Sequence, residues 1–272
     1  MNVVADLESS RSSREGDDAL MRGVLRTLNV LRALNVRNGA TVVQLSRMTG
    51  ISRSALYRML ETLRDAGYVS VDLSGRHYCL TMMVRSLAEG FNEEDWITDI
   101  ARPALRRAQK ELLWPVDLGT FMDNAMWIRE STRKFSALTI DRCVVGARFP
   151  VLATAGGRCF LAHCGATERE KIIQTLVAAG EQGTDLLKNR RTFDRMLDEI
   201  RENGFALRLA EPPLETGAVA VPILLKEQIL GIVVLTFIRR ALTSETVIQT
   251  WLPTLIQTAA DIAAGMQASP QI

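Results

Sequence analysis

The chain has 272 residues, 47% of them hydrophobic and 24% charged, with a formal net charge of +2. That composition supports one large or two modest packed domains and excludes a disordered or fibrous protein. No apolar run approaches the roughly 20 residues of a membrane helix, and the polar amino terminus lacks the apolar centre of a secretory leader, so a cytoplasmic protein without membrane contact is expected.

Residues 1–18, "MNVVADLESSRSSREGDD", are polar and aperiodic and are expected to form a flexible tail. From residue 19 to 36, apolar side chains at 20, 21, 24, 25, 28, 31 and 34 follow helical spacing until Asn38-Gly39 stops the run. Thr41 can cap a second helix bearing Val42, Leu45 and Met48, which ends at Gly50. Ser52 can cap a third, with Leu56, Met59, Leu60 and Leu63 on one face and Gly67 as its stop. Two short strands, "YVSVD" and "RHYCL", follow around Leu73-Ser74-Gly75.

Three helices and a hairpin, with a glycine turn between the second and third helices, are the parts of a winged helix-turn-helix over residues 19–80. The charge is distributed to match: this segment holds nine arginines against three acids, whereas residues 1–18 hold two against five. Opposite its apolar face the third helix presents Ser54, Tyr57, Arg58 and Glu61, with Arg53 at the end that enters a groove first. Guanidinium groups take guanine edges and phosphates with forked donors. The competing interpretation is a helical packing module with a charged surface.

Residues 81–95, including "MMVRSLAEGF", suggest a linker helix, and Glu93 to Leu113 a longer helix ending before Trp114-Pro115. The remaining chain, residues 96–268, alternates between helices (about 157–164, 168–178, 190–203 and 244–265) and six strands: "VDLGTFM", "AMWIRE", "SALTID", "FALRLA", "AVAVPILL" and "ILGIVVLTF". This predicts an α/β domain with an antiparallel sheet, in two layers, able to cup a small ligand.

Catalytic signatures are missing: there is no G-x-S-x-G, no P-loop and no H-E-x-x-H. In "GGRCFLAHC", Cys159, His163 and Cys164 read as small buried thiols beside a hydrogen-bonded histidine, since Cys164 would point about 100° away from His163 on a helix. Four cysteines in all, including Cys79 and Cys143, are too irregular for a disulfide framework. No metal or cofactor is expected. The glycine pair of "TAGGR" suits either an anion at a helix start or close packing of helix on sheet.

The stretches "RGVLRTLNVLRALN", "TVVQLSRMTGISRSALYRMLETLRDAGYVSVD", "GARFPVLATAGGRCFLA" and "GAVAVPILLKEQILGIVVLTF" together resemble the IclR-type bacterial transcriptional regulators over about residues 19–265. Within that family, the segment from Glu89 to Met122 is most similar to regulators of 3-(3-hydroxyphenyl)propionate and related aromatic-acid catabolism. The resemblance implies a GAF-like effector domain, a homodimer or homotetramer on a palindromic double-stranded operator, and a small-molecule effector, here an aromatic carboxylic acid. The expected DNA contacts are Thr41, Gln44, Ser52, Arg53, Ser54, Tyr57, Arg58 and Arg76. The expected effector contacts are Leu152, Thr154, Ala155, Gly156, Gly157, Ala218, Val234 and Thr236. Ala218 and Val234 stand where the family often has cysteine and serine, which favours a larger, more apolar ligand. Trp127, Phe135 and Phe149 are candidate apolar walls, and Arg129 and Arg133 candidate carboxylate partners. The alternative is a small-molecule-binding or catalytic α/β domain whose helical amino terminus only dimerises.

Overall fold

A computed structural model of the chain describes residues 21–87, 95–138, 145–209, 216–239 and 243–268. They fall into two compact units, divided between Asn92 and Glu93. The expected tail lies outside the described residues. Of the expected linker, residues 81–95, positions 88–94 also lie outside the described residues, and the part before them is helical over Met83–Ser86.

In the first unit, helix α1 covers 21–36, α2 is Val42–Thr49 and α3 is Arg53–Asp65. A capping box starts α2: the Thr41 amide donates to Gln44 Oε1 (2.9 Å) and the Gln44 amide to Thr41 Oγ1 (3.3 Å). Gly50 ends it at φ +69°, the left-handed conformation that glycine adopts without a Cβ penalty. The Ser46 hydroxyl donates to the Ile51 carbonyl (2.8 Å) and holds the tight turn into α3. Leu34, Leu45, Leu56 and Leu60 are fully buried and, with Val30 and Val69, form the core of this unit.

Strands β1 (Val69–Val71) and β2 (Tyr78–Leu80) pair antiparallel, Ser70 opposite Cys79. The turn after α1 docks on this hairpin, where Asn38 Oδ1 accepts the Leu80 amide (2.8 Å) and the Tyr78 amide donates to the Ala40 carbonyl (3.0 Å). Asp72 organises the hairpin tip, accepting from the amides of His77 and Arg76 (both 3.1 Å) and from the Ser74 hydroxyl (2.8 Å). The His77 amide, then Ser74, hold its carboxyl far below the usual range. The periodic apolar residues of α1 and α2 are not all buried: Met21, Val24, Leu25, Leu28 and Met48 are exposed.

The second unit begins with a π turn, Trp96–Ala101, that runs into helix α5 (Arg102–Leu112), α4 being the short Met83–Ser86. Strands β3 (Val116–Met122), β4 (Ala125–Ser131), β5 (Arg148–Phe149), β6 (Ala206–Leu209), β7 (Thr216–Leu225) and β8 (Gln228–Ile238) form one antiparallel sheet in the order β5-β4-β3-β8-β7-β6. Helices α6 (Ala155–His163), α7 (Ala166–Ala178) and α8 (Arg190–Asn203) precede β6, and α9 (Ser244–Thr246), a π turn and α10 (Leu252–Ala268) follow β8.

Two departures from expectation have physical causes. "SALTID" contributes no strand among the described residues: residues 137–138 are a turn, and 139–144 lie outside the described set. The sixth strand is Arg148–Phe149, paired to Trp127 and Met126. The unit also has three layers rather than two. On one face Val219, Val221, Val233, Leu235 and Phe237 pack against Leu105, Leu255 and Ile262 of α5 and α10. On the other, Ala218, Ala220 and Ile232 pack against Cys159, Phe160 and Leu197 of α6 and α8. Strands covered on both faces are apolar at successive positions instead of alternating.

The α6 layer sits close to the sheet because its first turn carries a glycine pair, Gly156 and Gly157. A Cβ on Gly156 would lie 2.2 Å from Ile232 Cδ1, and one on Gly157 2.0 Å from the Val151 carbonyl oxygen. Gly157→Ala therefore meets backbone and is expected to destabilise the protein by at least about 2 kcal/mol in urea unfolding. Gly165→Ala, whose Cβ would meet nothing within 4 Å, is expected to stay within about 1 kcal/mol of the parent.

Candidate nucleic-acid interface and ligand cavity

Helix α3 is amphipathic by construction. Leu56, Leu60 and Leu63 are buried, while Arg53, Ser54, Tyr57 and Arg58 are exposed on the other side. Ser52 caps the helix, accepting the Ala55 amide (3.4 Å), and its hydroxyl lies 3.4 Å from that of Ser54. Arg64 lies 3.6 Å from both Glu61 and Asp65. Arg53 and Arg58 pair with no acid among the described residues, so their charge is available to an outside anion. Arg76 is exposed at the hairpin tip, where its amide is fixed by Asp72 (3.1 Å). Thr41 and Gln44 spend their side chains on the capping box and are only partly exposed. Together they set where α2 begins.

In the second unit a cavity of about 140 Å³ lies between the sheet and the first turn of α6. Ala218, Ile232, Val234 and Thr236 make its floor, Met126, Ile128 and Phe149 one side, and Thr154, Ala155 and Gly156 the turn above. Six of the eight expected contacts therefore line it: Thr154, Ala155, Gly156, Ala218, Val234 and Thr236. Leu152 and Gly157 do not. Leu152 is fully buried in the core beneath α6, and Gly157 turns toward the Val151 backbone. Gly156 serves both interpretations of the glycine pair, approaching Ile232 closely while forming cavity wall.

Among the aromatic candidates only Phe149 lines the space. Trp127 donates its indole N–H to the Met122 carbonyl (2.9 Å), and Phe135 is exposed beneath the Arg106 guanidinium, 4.8 Å away. Of the arginines, Arg129 is outside the lining and donates to Thr120 Oγ1 (3.2 Å). Arg133 is inside it, but bound: its Nη2 and Nε donate to Asp117 Oδ2 (2.7 and 3.2 Å), and Nη2 also lies 3.3 Å from Thr236 Oγ1. Asp117 is buried and takes a further hydrogen bond from the Ser131 hydroxyl (2.7 Å).

Sequence reasoning missed two charged liners, Asp117 and Arg208, and the polar Thr216; the two charges were the ones with a signal. Each was visible as a lone charge in an apolar strand, in "VDLGTFM" and "FALRLA". Cys159 is buried in the core with its thiol pushed far up by desolvation, and burial raises Cys164 to about 11. His163 Nδ1 donates to the Cys159 carbonyl (2.9 Å). No group of three or more metal-ligating side chains occurs among the described residues. No described helix is long and apolar enough to cross a membrane.

Comparison with known proteins identifies both halves. Residues 23–73 match the IclR helix-turn-helix domain and residues 93–264 the bacterial transcriptional regulator IclR C-terminal domain. The chain is 29% identical over 226 residues to the Pca regulon regulatory protein of Pseudomonas putida, covering 81% of this chain and 75% of that protein. It is 26% identical over 228 residues to the p-hydroxybenzoate hydroxylase transcriptional activator of Acinetobacter baylyi, 81% and 82% covered. Its fold is that of an IclR homolog from Microbacterium hydrocarbonoxydans solved with 4-hydroxybenzoate (TM-score 0.60, 20% identity, 91% of this chain and all of that one). An arginine-bearing α3 with a hairpin wing, a second unit with a cavity between sheet and helix, and family matches over both place the chain in the IclR family, as a DNA-binding transcriptional regulator responsive to a small-molecule ligand.

Proposed function

We propose that the protein controls genes for the breakdown of an aromatic carboxylic acid, with that acid or a close derivative as its effector. The cavity carries this reading. Its volume of about 140 Å³ is comparable with the roughly 150 Å³ apolar cavity known to take up benzene. The Ala218, Ile232 and Val234 part of its floor offers a ring apolar contact. Two relatives named or solved with hydroxybenzoates give independent support.

DNA recognition is assigned to the exposed side of α3, in the major groove, with Arg53 and Arg58 on base edges or phosphates and Arg76 on the flanking backbone. Ser54 and Tyr57 complete that side, and Ser52, Thr41 and Gln44 fix the helix starts. One such helix reads only a few base pairs, so specificity requires two copies on a palindrome. The exposed stripe on α1 supplies a surface for the second copy: Met21, Val24, Leu25 and Leu28 are 66, 56, 61 and 46% exposed and recur at i, i+3, i+4 and i+7. A stripe of this kind meeting its own copy forms a two-fold interface, and a chromosomal operator places the working protein in the cytoplasm.

Arg53→Ala or Arg58→Ala is expected to weaken operator binding about 10- to 100-fold, and loss of a phosphate contact to reduce the salt dependence by about one unit of slope. Effector binding should be unchanged; equal loss of both would mean that these residues only support the fold. Leu25→Glu is expected to lower affinity for a palindromic operator at least tenfold, by an order-of-magnitude estimate for a lost apolar interface, and to leave affinity for a half-site intact. Unchanged palindrome binding would remove α1 from the dimer. Thermal-shift titration with phenylpropionates, cinnamates and hydroxybenzoates is expected to give a saturable rise for at least one, since a ligand selective for the folded state raises its melting temperature. A ligand that binds tightly yet leaves operator affinity and transcription unaltered would sink the regulatory reading.

A further inference from the structure

Two arginines line the effector cavity, and they differ in electrostatic state. Arg133 is neutralised in place: Asp117 accepts two of its N–H groups, and both side chains are nearly buried. A ligand carboxylate brought to Arg133 would also face Asp117, a like charge. Arg208 is half-buried, and its Nε is buried without a hydrogen-bond partner among the described residues. Desolvation lowers its pKa from the ordinary value, and Arg158, itself half-buried, is depressed further by the charge of Arg208. Asp185 acts on Arg158 in the opposite sense, but forms no ion pair with Arg208 among the described residues.

Sheet register fixes where these groups stand. Arg208 pairs with Ala218 and Ala218 with Thr236, so Arg208 on β6, Ala218 on β7 and Thr236 on β8 form one row on the cavity face. Asp117 on β3 pairs with Val234, two residues along from Thr236 and on the same face. Three strand spacings, roughly 14 Å between backbones, separate Arg208 from Asp117. Ala218 and Val234 give the floor between them an apolar stretch. The first turn of α6 lies over the cavity, and its Ala155 and Gly156 amides precede the first intrahelical bond, from the Arg158 amide to the Thr154 carbonyl (3.1 Å), so the positive end of that helix adds to the field of Arg208.

We propose that Arg208 is the residue that binds the carboxylate of the effector, and that the Asp117–Arg133–Thr236 end receives an uncharged hydrogen-bonding group such as a ring hydroxyl. The cavity then takes an aromatic acid in one orientation, acid toward β6 and hydroxyl toward β3. Asp117 has the lone pairs to accept from that hydroxyl, and an unpaired guanidinium gains a charge-assisted, forked hydrogen bond only when the ligand is present. This assignment rests on the effector reading above but makes a narrower claim: an acid is selected over its neutral isostere, and Arg208 is the reason.

The test is calorimetric titration of the full-length protein with 4-hydroxybenzoate, 3-phenylpropionate, their primary amides, and propionate and butyrate, for the parent and for Arg208→Met. The parent is expected to prefer each bound aromatic acid over its amide by at least about tenfold, and Arg208→Met to lose on the order of 30-fold in acid affinity and the preference with it. Because the variant removes a charge that has no ion-pair partner among the described residues, its ligand-free melting temperature is expected to be no lower than the parent's. Acid and amide bound equally by the parent, a comparison that needs no variant, would overturn the proposal. So would acid affinity retained in Arg208→Met. Binding of the aliphatic acids alone, abolished in Arg208→Met, would overturn the aromatic reading and uphold the arginine. A parent that binds no carboxylate at all overturns both.

Discussion

Asp117 is a carboxylate on a central strand of a sheet covered on both faces, and the effector domain is arranged around keeping it satisfied. It is about 1% exposed, and its oxygens are shared between the Arg133 guanidinium and the Ser131 hydroxyl. Such a pair contributes little net stability compared with an apolar substitute, but removing one partner strands the other at a cost of about 3–5 kcal/mol. The geometry of β3 and β4 follows from that requirement. Thr132 clamps the end of β4 to the start of β3 through its hydroxyl, which accepts the Val116 amide (2.8 Å) and lies 3.1 Å from the Val116 carbonyl. Arg133 then begins a short 3-10 turn that returns its side chain over Asp117. The neighbouring Glu130 accepts from Arg102, the first residue of α5. A continuous run of polar contacts thus leads from the cavity wall to the helix that opens the second unit.

Much of the architecture was legible because local and long-range signals agreed. Thr41, Gly50, Ser52 and Gly67 mark the first unit's boundaries, and the leucines of α3 identify its buried side. The strands of the second unit were equally plain, apart from β5, whose two residues are too short to carry a period. The layer count was misjudged although "AVAVPILL" and "ILGIVVLTF" carry the signal for it, since continuous apolar character is what two covered faces demand. Arg208 and Asp117 escaped for another reason. A lone charge in an apolar strand is normally an edge residue facing water, and only the register, which sets Arg208 in line with Ala218 and Thr236, turns it toward a cavity. Leu152 and Gly157 were expected in the site from the family resemblance; the turn before α6 sets Leu152 in the core, and Gly157 in the first turn of α6 faces the Val151 backbone.

The two units solve opposite problems. The second buries apolar residues on both sides of its sheet and leaves a small hollow where glycines let α6 approach without filling the space. The first is small for its core, and four residues of α1 that helical spacing marks as a buried face remain in water. That mismatch between pattern and burial is informative because the same spacing in α3 is satisfied internally by Leu56, Leu60 and Leu63. That exposed stripe is the surface on which the proposed second copy would dock.

Regulation requires more of the cavity than affinity. A ligand shifts a conformational equilibrium only by the difference between its binding free energies for the two arrangements, and couplings of about 1–3 kcal/mol are typical. Filling the apolar floor between Ala218 and Val234 contributes to affinity in any arrangement that keeps the central strands paired, and β7 and β8 are the longest-paired strands of the sheet. Discrimination must therefore come from groups whose positions change most easily relative to one another. These are the polar ends: β6 is an edge strand of four residues paired on one side only, and the Asp117–Arg133 pair is tied through Ser131 and Glu130 to α5. A ligand spanning the two senses their separation, whereas one that only fills the hollow does not.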